Sequence, residues 1–437
     1  MKPPSAARGF LVTLALATAL GGADRVRAET LEEAWQLALS HDYGLAAVNA
    51  DLDSARANER AAQGARWPSL NVNAGYTRLN TSPTLDVATA GGTLQSGPIF
   101  RDNQYVSGTV QMSLPLYAGG RIRAGIDAAH DAAIGASEMQ QAAASALKLD
   151  VAESYVGVLR ARHALQAAAS SVESLSAHVH DVQHLVEGES VPMSDLLAAR
   201  VALVNAEQAR LRASNAVEIA QAVYNRRLGQ PLERVPELDE RVRADAALAD
   251  RPIEALVPYA LESRSELKGL AAQAQALTAQ SRAEVGKLRP QVALTGSYMH
   301  FDNQILDRQD FSSVGVSFTW DLFDGGQARS RADGLRSASR AQQHRLDDLR
   351  SQIALEVRES WLGVQEAQAR LKASGEAVAQ ATENLRMSRE LYGVGLATNT
   401  QVLDAVVLQV NAVNNRDNAV LDEGLSKLRL ARAVGDL

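Results

Sequence analysis

The feature that most constrains this chain is a proline-free helical stretch from 327 to 392. At a rise of 1.5 Å per residue, about 65 helical residues form a rod roughly 100 Å long. A strand with apolar residues at alternate positions, 311–320, precedes the rod, and Gly325-Gly326 joins the two. Ordinary globular domains do not accommodate a helix of this length, so the sequence predicts an elongated fold.

The same arrangement occurs earlier in the chain, which indicates an internal duplication. Gly119-Gly120 leads into a second long helical pattern, 121–186, and lies 206 positions before Gly325-Gly326. Pro68 lies 222 positions before Pro290. The difference between the two offsets falls between the strands of each half, so the first half has the longer loop. A period this long is typical of a duplicated half rather than of a solenoid repeat.

Each half is predicted to contain a helix, two strands, a long helix and a shorter helix. The first repeat (29–228) has its strand pair within 70–114 and later helices at 121–186 and 193–228. The second repeat (252–437) has its strand pair within 291–320 and later helices at 327–392 and 398–434. An equatorial connector at 229–251 separates them, and a signal peptide at 1–28 precedes them.

Three local predictions complete this division. Gly, Ser, Thr and Pro are abundant at 79–104, which predicts a long loop between the first two strands. The opening helix of the first repeat is expected to break near 41–44. Pro252 suits a helix start, and the second repeat is expected to open with one helix that continues to 288.

The N-terminus predicts export. Lys2 and Arg8 come before an apolar run at 10–20, and 26–28 fits the small-residue cleavage pattern of a signal peptide. A membrane anchor is the alternative, but it needs about 18–20 apolar residues and this run is shorter. Removal of 1–28 changes the net charge from −7 to −10, because four basic residues and one acidic residue are lost. An acidic exported chain argues against nucleic acid as a partner.

The four strands alternate apolar and polar side chains over about nine or ten residues, the length that crosses a bilayer when tilted. No apolar helix after the signal peptide is long enough to do so, and a chain in a membrane would then have to use strands. Two soluble hairpins packed on the helices are the alternative. A polar face rich in Ser, Thr, Asn, Gln and Gly favours a water-facing lumen.

Four strands cannot close a barrel, and open sheet edges are not tolerated in lipid. Two copies would give eight strands and an interior filled by side chains, whereas three would give twelve strands and room for water. We therefore predict a homotrimer that contacts membrane lipid through its strands. Its long helices would together form a tube outside the membrane.

A coiled-coil seam follows the second long helix. Its apolar and small residues keep a spacing of three and four, with one interval of four between Ile353 and Val357 that predicts a stutter and weaker supercoiling. Chance periodicity is the alternative for the stutter. The seam residues are Val364, Ala367, Leu371, Ser374, Val378, Ala381, Leu385, Ser388 and Tyr392, preceded by Leu346, Leu349 and Ile353.

Three motifs resemble those of the TolC-type outer-membrane channels, the outer membrane factor family. They are LPLYAGG at 114–120, WDLFDGG at 320–326 and YGVGLATNTQVLDA at 392–405. The resemblance covers the whole mature chain. It implies a mainly α fold with β, in which a trimeric twelve-stranded outer-membrane β-barrel continues as a periplasmic α-helical barrel with coiled-coil tips. It also implies contact with outer-membrane lipid and two protein partners, a periplasmic adaptor (membrane fusion) protein and an inner-membrane pump of the RND, ABC or MFS type.

The turns at 187–194 and 393–400 are predicted to form the far end of the tube. Asp195 and Asp404 lie in the first turns beyond them, where a helix N-terminus favours solvated carboxylates. The alternative is a ring of carboxylates that selects cations at a narrow entrance. The resemblance implies the second interpretation, because the family places acidic rings at its periplasmic entrance.

The resemblance also implies gating residues at these turns. Tyr392 and Ser194 match the family, whereas Gln401 stands where an acidic residue can occur and Ala397 where a basic latch residue can occur. A salt-bridge lock on a closed tube is therefore not implied. Thr398 and Gln401 also have the spacing of a capping box, which predicts the start of the last helix.

An adaptor-contact pattern, Val-Gly-x-x-Thr, is kept in the second turn and changed in the first. The six positions concerned are Val394, Gly395 and Thr398 in the second turn and Gly188, Glu189 and Pro192 in the first.

Three histidines lie close together before the first turn. His180 and His184 are four residues apart on a helix, which is a metal-binding spacing. No third ligand converges in the sequence, so we interpret these two and His178 as solvated surface histidines and expect no metal site.

The sequence predicts no enzyme and no cofactor. It contains no cysteine, Gly-rich phosphate loop, metal motif or Ser/His/Asp signature. The first hypothesis is an outer-membrane exit duct that passes substrates passively for a tripartite efflux or type I secretion system. The alternative is a periplasmic coiled-coil adaptor or scaffold protein. A metal-specific efflux duct is a third hypothesis that depends on the histidines alone.

Overall fold

The computed structural model describes residues 28–89, 91–242 and 247–437. The predicted signal peptide lies outside these residues, except for its last position. The helices are α1 (Leu31–His41), α2 (Tyr43–Gly64), α3 (Arg121–Glu187), α4 (Met193–Arg227), α5 (Ile253–Ser263), α6 (Ser265–Gly286), α7 (Gln327–Gly393) and α8 (Asn399–Val434). The strands are β1 (Ser69–Arg78), β2 (Thr84–Thr89), β3 (Gly92–Pro98), β4 (Gln104–Ala118), β5 (Gln291–Phe301) and β6 (Asp310–Thr319).

The two rods, α3 and α7, each contain 67 residues, so each is about 100 Å long. Both begin at a pair of glycines with positive φ: 63° and 86° at Gly119-Gly120, and 70° and 82° at Gly325-Gly326. Two successive left-handed residues redirect the chain from strand to helix, and glycine adopts that conformation without a Cβ clash.

The two corners are stabilised by different side chains. In the second half, the Asp324 carboxylate accepts hydrogen bonds from the backbone N–H groups of Gly326 and Ala328, at 2.9 and 2.7 Å. In the first half, the Arg289 guanidinium donates to the Gly119 carbonyl at 3.2 Å. The first corner is therefore held from the neighbouring repeat, and the second corner by its own carboxylate.

The four long strands form one antiparallel sheet in the order β1-β4-β5-β6. Directly paired residues lie on the same face of a sheet, and the observed register places the predicted apolar positions of all four strands on one face. The members of this face include Leu70, Val72, Tyr76, Val110, Met112, Leu114, Val292, Leu294, Tyr298, Val314, Val316 and Phe318. The opposite face is mainly polar, apart from Met299 and Phe311 and the aromatic residues at one end, and on it the Ser297 and Ser313 hydroxyl oxygens lie 2.7 Å apart.

Two local predictions are wrong. Residues 79–104 are not a plain loop, because β2 and β3 pair as a separate hairpin and a short 3-10 turn follows at 101–103. The predicted helix at 252–288 is interrupted by Arg264, which has extended backbone angles, φ −60° and ψ 118°.

The interruption at Arg264 has a tertiary cause. Its guanidinium is buried and bonds to the Glu266 and Glu356 carboxylates and to the Ala433 carbonyl at the end of α8. Asp42, which lies 222 positions earlier, is extended in the same way and separates α1 from α2. A helix break at this position is therefore present in both halves, although only the first half shows it in its sequence.

The helices lie side by side. In the half of the molecule away from the sheet, α3 packs between α4 and α8, and α8 packs between α3 and α7. Nearer the sheet, α3 packs on α2 and α6, and α6 packs on α7. Among the described helices, none is long and apolar enough to span a bilayer.

The predicted seam of α7 is its buried face. Every seam residue from 346 to 392 is buried or half-buried, and its exposed neighbours are mostly charged or polar. The interval of four at Ile353 and Val357 places both in one apolar cluster with Leu430 of α8 and Leu256 of α5.

Candidate functional site at the helix tips

The ends of the helix pairs farthest from the sheet form two equivalent turns. The first joins α3 to α4, and the second joins α7 to α8. In the first turn the backbone N–H of Ser190 donates to the Leu185 carbonyl at 2.8 Å, and in the second that of Leu396 donates to the Leu391 carbonyl at 2.8 Å. These pairs are 206 positions apart, so the duplication extends to the turn geometry.

Two residues of the first turn differ from their equivalents in the second turn, and both differences make the first turn less stable. Glu189 has a φ of 55°, and Gly395 has 75° at the equivalent position. A left-handed conformation costs a residue with a Cβ about 1–2 kcal/mol, and costs glycine almost nothing. Pro192 provides no side-chain cap for α4.

The predicted capping box at the start of α8 is confirmed. The Thr398 hydroxyl accepts from the backbone N–H of Gln401 at 3.4 Å, and the Gln401 amide oxygen accepts from that of Thr398 at 2.7 Å. Gln401 is therefore engaged in holding the helix end.

Behind the two turns, four side chains, one from each helix, form a set that we call the tip network: His178, Asp195, Tyr392 and Asn399. The Tyr392 hydroxyl donates to the Asp195 carboxylate at 3.1 Å, and the Asn399 amide donates to the Asp195 carbonyl at 3.1 Å. The His178 Nε2 atom lies 2.7 Å from the Asn399 side-chain oxygen. The network thus connects α3, α4, α7 and α8 at the end of the molecule.

The tip network lies in apolar surroundings. His178, Tyr392 and Asn399 are each buried, and the adjoining cluster contains Leu385 and Val402. The rings of His178 and Tyr392 are in contact, with centroids 5.6 Å apart. A buried polar network is costly to leave half-satisfied, so its members are expected to stay bonded as a unit.

Burial also determines the protonation states of Tyr392 and His178. It raises the pKa of Tyr392 to about 12, helped by the charge of Asp195 and their hydrogen bond, so the tyrosine remains a donor at neutral pH. Burial lowers the pKa of His178, and the nearby Arg389 guanidinium acts in the same direction. The Asn399 hydrogen bond and the charges of Asp181 and Asp195 oppose this shift. His178 is therefore neutral at pH 7 and donates from Nε2 to Asn399.

The structure brings some of the predicted site residues together and leaves others apart. Asp195 and Tyr392 are brought together, whereas Asp404 and Ser194 are exposed on α8 and α4. The interpretation of His178 as a surface histidine is wrong, because its position on α3 faces α8 and is buried. Asn399 was not among the residues predicted from the sequence, where its only signal is an amide directly after the Thr398 cap.

His180 and His184 lie on the exposed side of α3 and face each other. Among the residues that the structure describes, no group of three or more His, Cys, Asp or Glu side chains is placed to hold a metal ion.

The sequence matches the outer membrane efflux protein family at residues 34–230 and 256–436, one segment in each half. These segments cover most of the chain, which therefore belongs to this family. It is an outer-membrane protein with a periplasmic helical part, an exit duct of tripartite efflux or secretion systems and not an enzyme. The membership favours the duct over a soluble adaptor or scaffold.

Individual relatives agree with this assignment. The chain is 25% identical to the outer membrane protein TolC of Vibrio cholerae over 440 residues, covering 98% of this chain and 95% of that protein. It is 23% identical to the alkaline protease secretion protein AprF of Pseudomonas aeruginosa, covering 93% and 84%. The solved structure of VceC from Vibrio cholerae has a TM-score of 0.78 at 19% identity, covering 93% and 96%. That of the outer-membrane channel OprN has a TM-score of 0.77 at 18% identity, covering 93% and 90%.

Proposed function

We propose that three copies of this chain form one duct, with a twelve-stranded barrel in the outer membrane and a tube of helices in the periplasm. The observation that carries the proposal is the isolated sheet, in which β1 and β6 each pair on one side only. Strand directions alternate across the sheet, so β6 of one copy can pair antiparallel with β1 of the next. Lipid does not tolerate unpaired edges, which closure would remove.

The helices support the same assembly. α4 and α7 lie at the two edges of the helical layer, and α4 exposes an apolar stripe along its length. Such a stripe suits packing against α7, the other edge of the helical layer, in a neighbouring copy. Its members are Met193, Leu197, Val201, Val204, Leu211, Ile219 and Val223.

The assembly is tested by native mass spectrometry of the mature protein released from detergent micelles. The wild type is expected to contain three chains. The double variant Leu211→Glu and Ile219→Glu places charges in the stripe and should release monomers. Leu232→Glu, at an exposed leucine of the connector, is the control and should remain trimeric. A monomeric wild type would overturn the proposal.

We further propose that the tip network holds the periplasmic end of the duct narrow. Its hydrogen bonds connect the α3–α4 pair to the α7–α8 pair, so widening the end requires breaking them. Gln401 and Ser194 lie at the starts of the adjoining helices and would move with the turns.

The exposed carboxylate of Asp404 is proposed to form an acidic ring around this end in the trimer. Asp195 adds to the same field through its half-buried carboxylate. A ring of negative charge at a narrow entrance favours cations over anions.

The two turns are the proposed contact surface for a periplasmic adaptor, which would connect the duct to an inner-membrane pump. In this arrangement the pump supplies the energy and selects most substrates. Val394 is 70% exposed at the second turn, although it is apolar, and thus offers a contact that the chain itself does not bury.

The adaptor contact is tested by in-cell crosslinking, with a photoreactive amino acid at Val394 or at Glu189. A crosslinked product containing a periplasmic adaptor is expected from both positions. The same group at His344, which is exposed on α7 nearer the sheet, is the control and should give no such product. Equal yields at all three positions would contradict a contact at the tips.

A further inference from the structure

The last turns of α3 carry two exposed histidines that face each other. The Nε2 atoms of His180 and His184 lie 3.1 Å apart, and their rings are nearly perpendicular, at 81°. Neither ring packs into the core, since both residues are exposed. Helical spacing brings residues i and i+4 to the same face, and at this distance the two nitrogens share one N–H as a hydrogen bond, whose place a metal ion between them would take.

The distance between these nitrogens matches the bite of a metal ion. Zinc binds histidine nitrogen at about 2.0–2.1 Å. Two nitrogens 3.1 Å apart at that bond length subtend an angle of roughly 95–102° at the metal. This angle lies between the square-planar or octahedral value and the tetrahedral value. Although the sequence alone predicts no metal site here, we infer that His180 and His184 chelate one divalent transition-metal ion through their Nε2 atoms.

The Glu187 carboxylate lies next to the second ring nitrogen of one of the two histidines, His184. The second ring nitrogen of His184, Nδ1, lies 3.6 Å from a carboxylate oxygen of Glu187, and the other oxygen of Glu187 accepts from the Gln183 amide at 3.1 Å. In metal sites, a carboxylate in this position orients the imidazole and increases its basicity. Glu187 is therefore a positioning residue of the site.

The ligand set defines the kind of metal. Imidazole nitrogen suits zinc, copper and nickel, and Cu²⁺ binds most tightly in the usual order of affinities. With two protein ligands, water would fill the remaining positions, so the ion would exchange with the periplasm. This makes the site different from a closed structural zinc site.

The position of the site gives the metal a mechanical effect. The backbone N–H of Gly188 donates to the His184 carbonyl at 3.0 Å in the last turn of α3. A metal that bridges His180 and His184 would hold together the preceding turn of α3, residues 180–184. His178 lies on the opposite, buried side of the helix, where it contacts Asn399. Occupancy would therefore stabilise the end of α3 while leaving the tip network intact.

Binding is tested by titrating Zn²⁺ into the mature protein, purified without a polyhistidine tag, in an isothermal calorimeter. One ion per chain is expected. His180→Asn and His184→Asn should each weaken binding by more than about tenfold, and Glu187→Gln by about tenfold. His344→Asn, at an exposed histidine of α7, is the matched control and should bind like the wild type.

A spectroscopic measurement identifies the ligands. Electron paramagnetic resonance of bound Cu²⁺ should show two imidazole nitrogens in the wild type and one in either single variant. Hydrogen exchange should show that Zn²⁺ slows exchange at 184–188 in the wild type and in His344→Asn only. Binding that is equally strong in His180→Asn and the wild type would overturn the inference, as would the absence of any zinc-dependent protection at the end of α3.

Discussion

The hydrogen bond between Tyr392 and Asp195 gives the sharpest test of the proposed closure. Tyr392→Phe removes only the hydroxyl that donates to the Asp195 carboxylate at 3.1 Å. Hydrogen bonds to charged groups contribute about 1.5–3 kcal/mol. The contact is longer than is usual for a hydroxyl and a carboxylate, and Asp195 is half-buried, so the lower value, about 1.5 kcal/mol, applies.

That loss is about tenfold in the equilibrium between closed and open ends for one chain. If the three copies open together, the losses combine to about 4.5 kcal/mol, or roughly a thousandfold. Single-channel recording in planar bilayers measures the fraction of time spent at high conductance. Tyr392→Phe should increase this fraction strongly, because nothing else about the ring changes.

The control is Tyr259→Phe, which removes an equivalent hydroxyl that donates to the Asp436 carboxylate at 2.6 Å, away from the tips. It should leave the conductance unchanged. A double-mutant cycle with Asp195→Asn should show that the two tip substitutions are not additive, because each removes the same bond. If Tyr392→Phe behaves like Tyr259→Phe, the bond does not hold the end closed.

Four further predictions follow from the same structure. Because burial holds the pKa of His178 below its ordinary value of 6.5, the tip should lose stability as pH falls below that value; hydrogen exchange should show this at acidic pH in the wild type but not in His178→Gln. Gly119→Ala should lower the free energy of unfolding by about 2–5 kcal/mol, since its Cβ would meet the Gly286 carbonyl oxygen at 2.5 Å. Its matched control is Gly325→Ala, whose Cβ would meet open space and which should lower the free energy of unfolding by only about 1–2 kcal/mol in the same measurement. Asp404→Ala should reduce cation preference in bilayer reversal potentials, and unchanged selectivity would contradict the acidic ring. Glu189→Gly should stabilise the first turn by about 1 kcal/mol in hydrogen exchange.

Periodic features could be predicted from the sequence, because packing geometry imposes them directly. The seam of α7 needs a residue toward its neighbours at every third or fourth position, and each predicted member from 346 to 392 is buried or half-buried. The strands need alternation, and the register places the alternating residues on matching faces. In both cases, residues near each other in the chain carry the whole signal.

Features that depend on distant residues could not be predicted in this way. Arg264 breaks a helix that its own sequence would continue, because it bonds to carbonyls at the end of α8. His178 has ordinary helical neighbours, and only the placement of Asn399, 221 positions away, makes it a buried donor. The hairpin of β2 and β3 could not be predicted, because its segment is rich in turn-forming residues that also suit a loop.

The duplication has left two turns of the same shape and unequal stability, which bears on how the tip would open. The second turn has glycine in its left-handed position and a complete capping box. The first has Glu189 in that position and no side-chain cap on α4. The strain of about 1–2 kcal/mol and the missing cap of about 1 kcal/mol both weaken the α3–α4 turn. That turn also carries the changed residues of the proposed adaptor contact and follows the histidine pair directly. Opening would then begin at the α3–α4 turn, while the α7–α8 turn keeps its form, so a ligand that clamps the end of α3 would act on the less stable side of the tip.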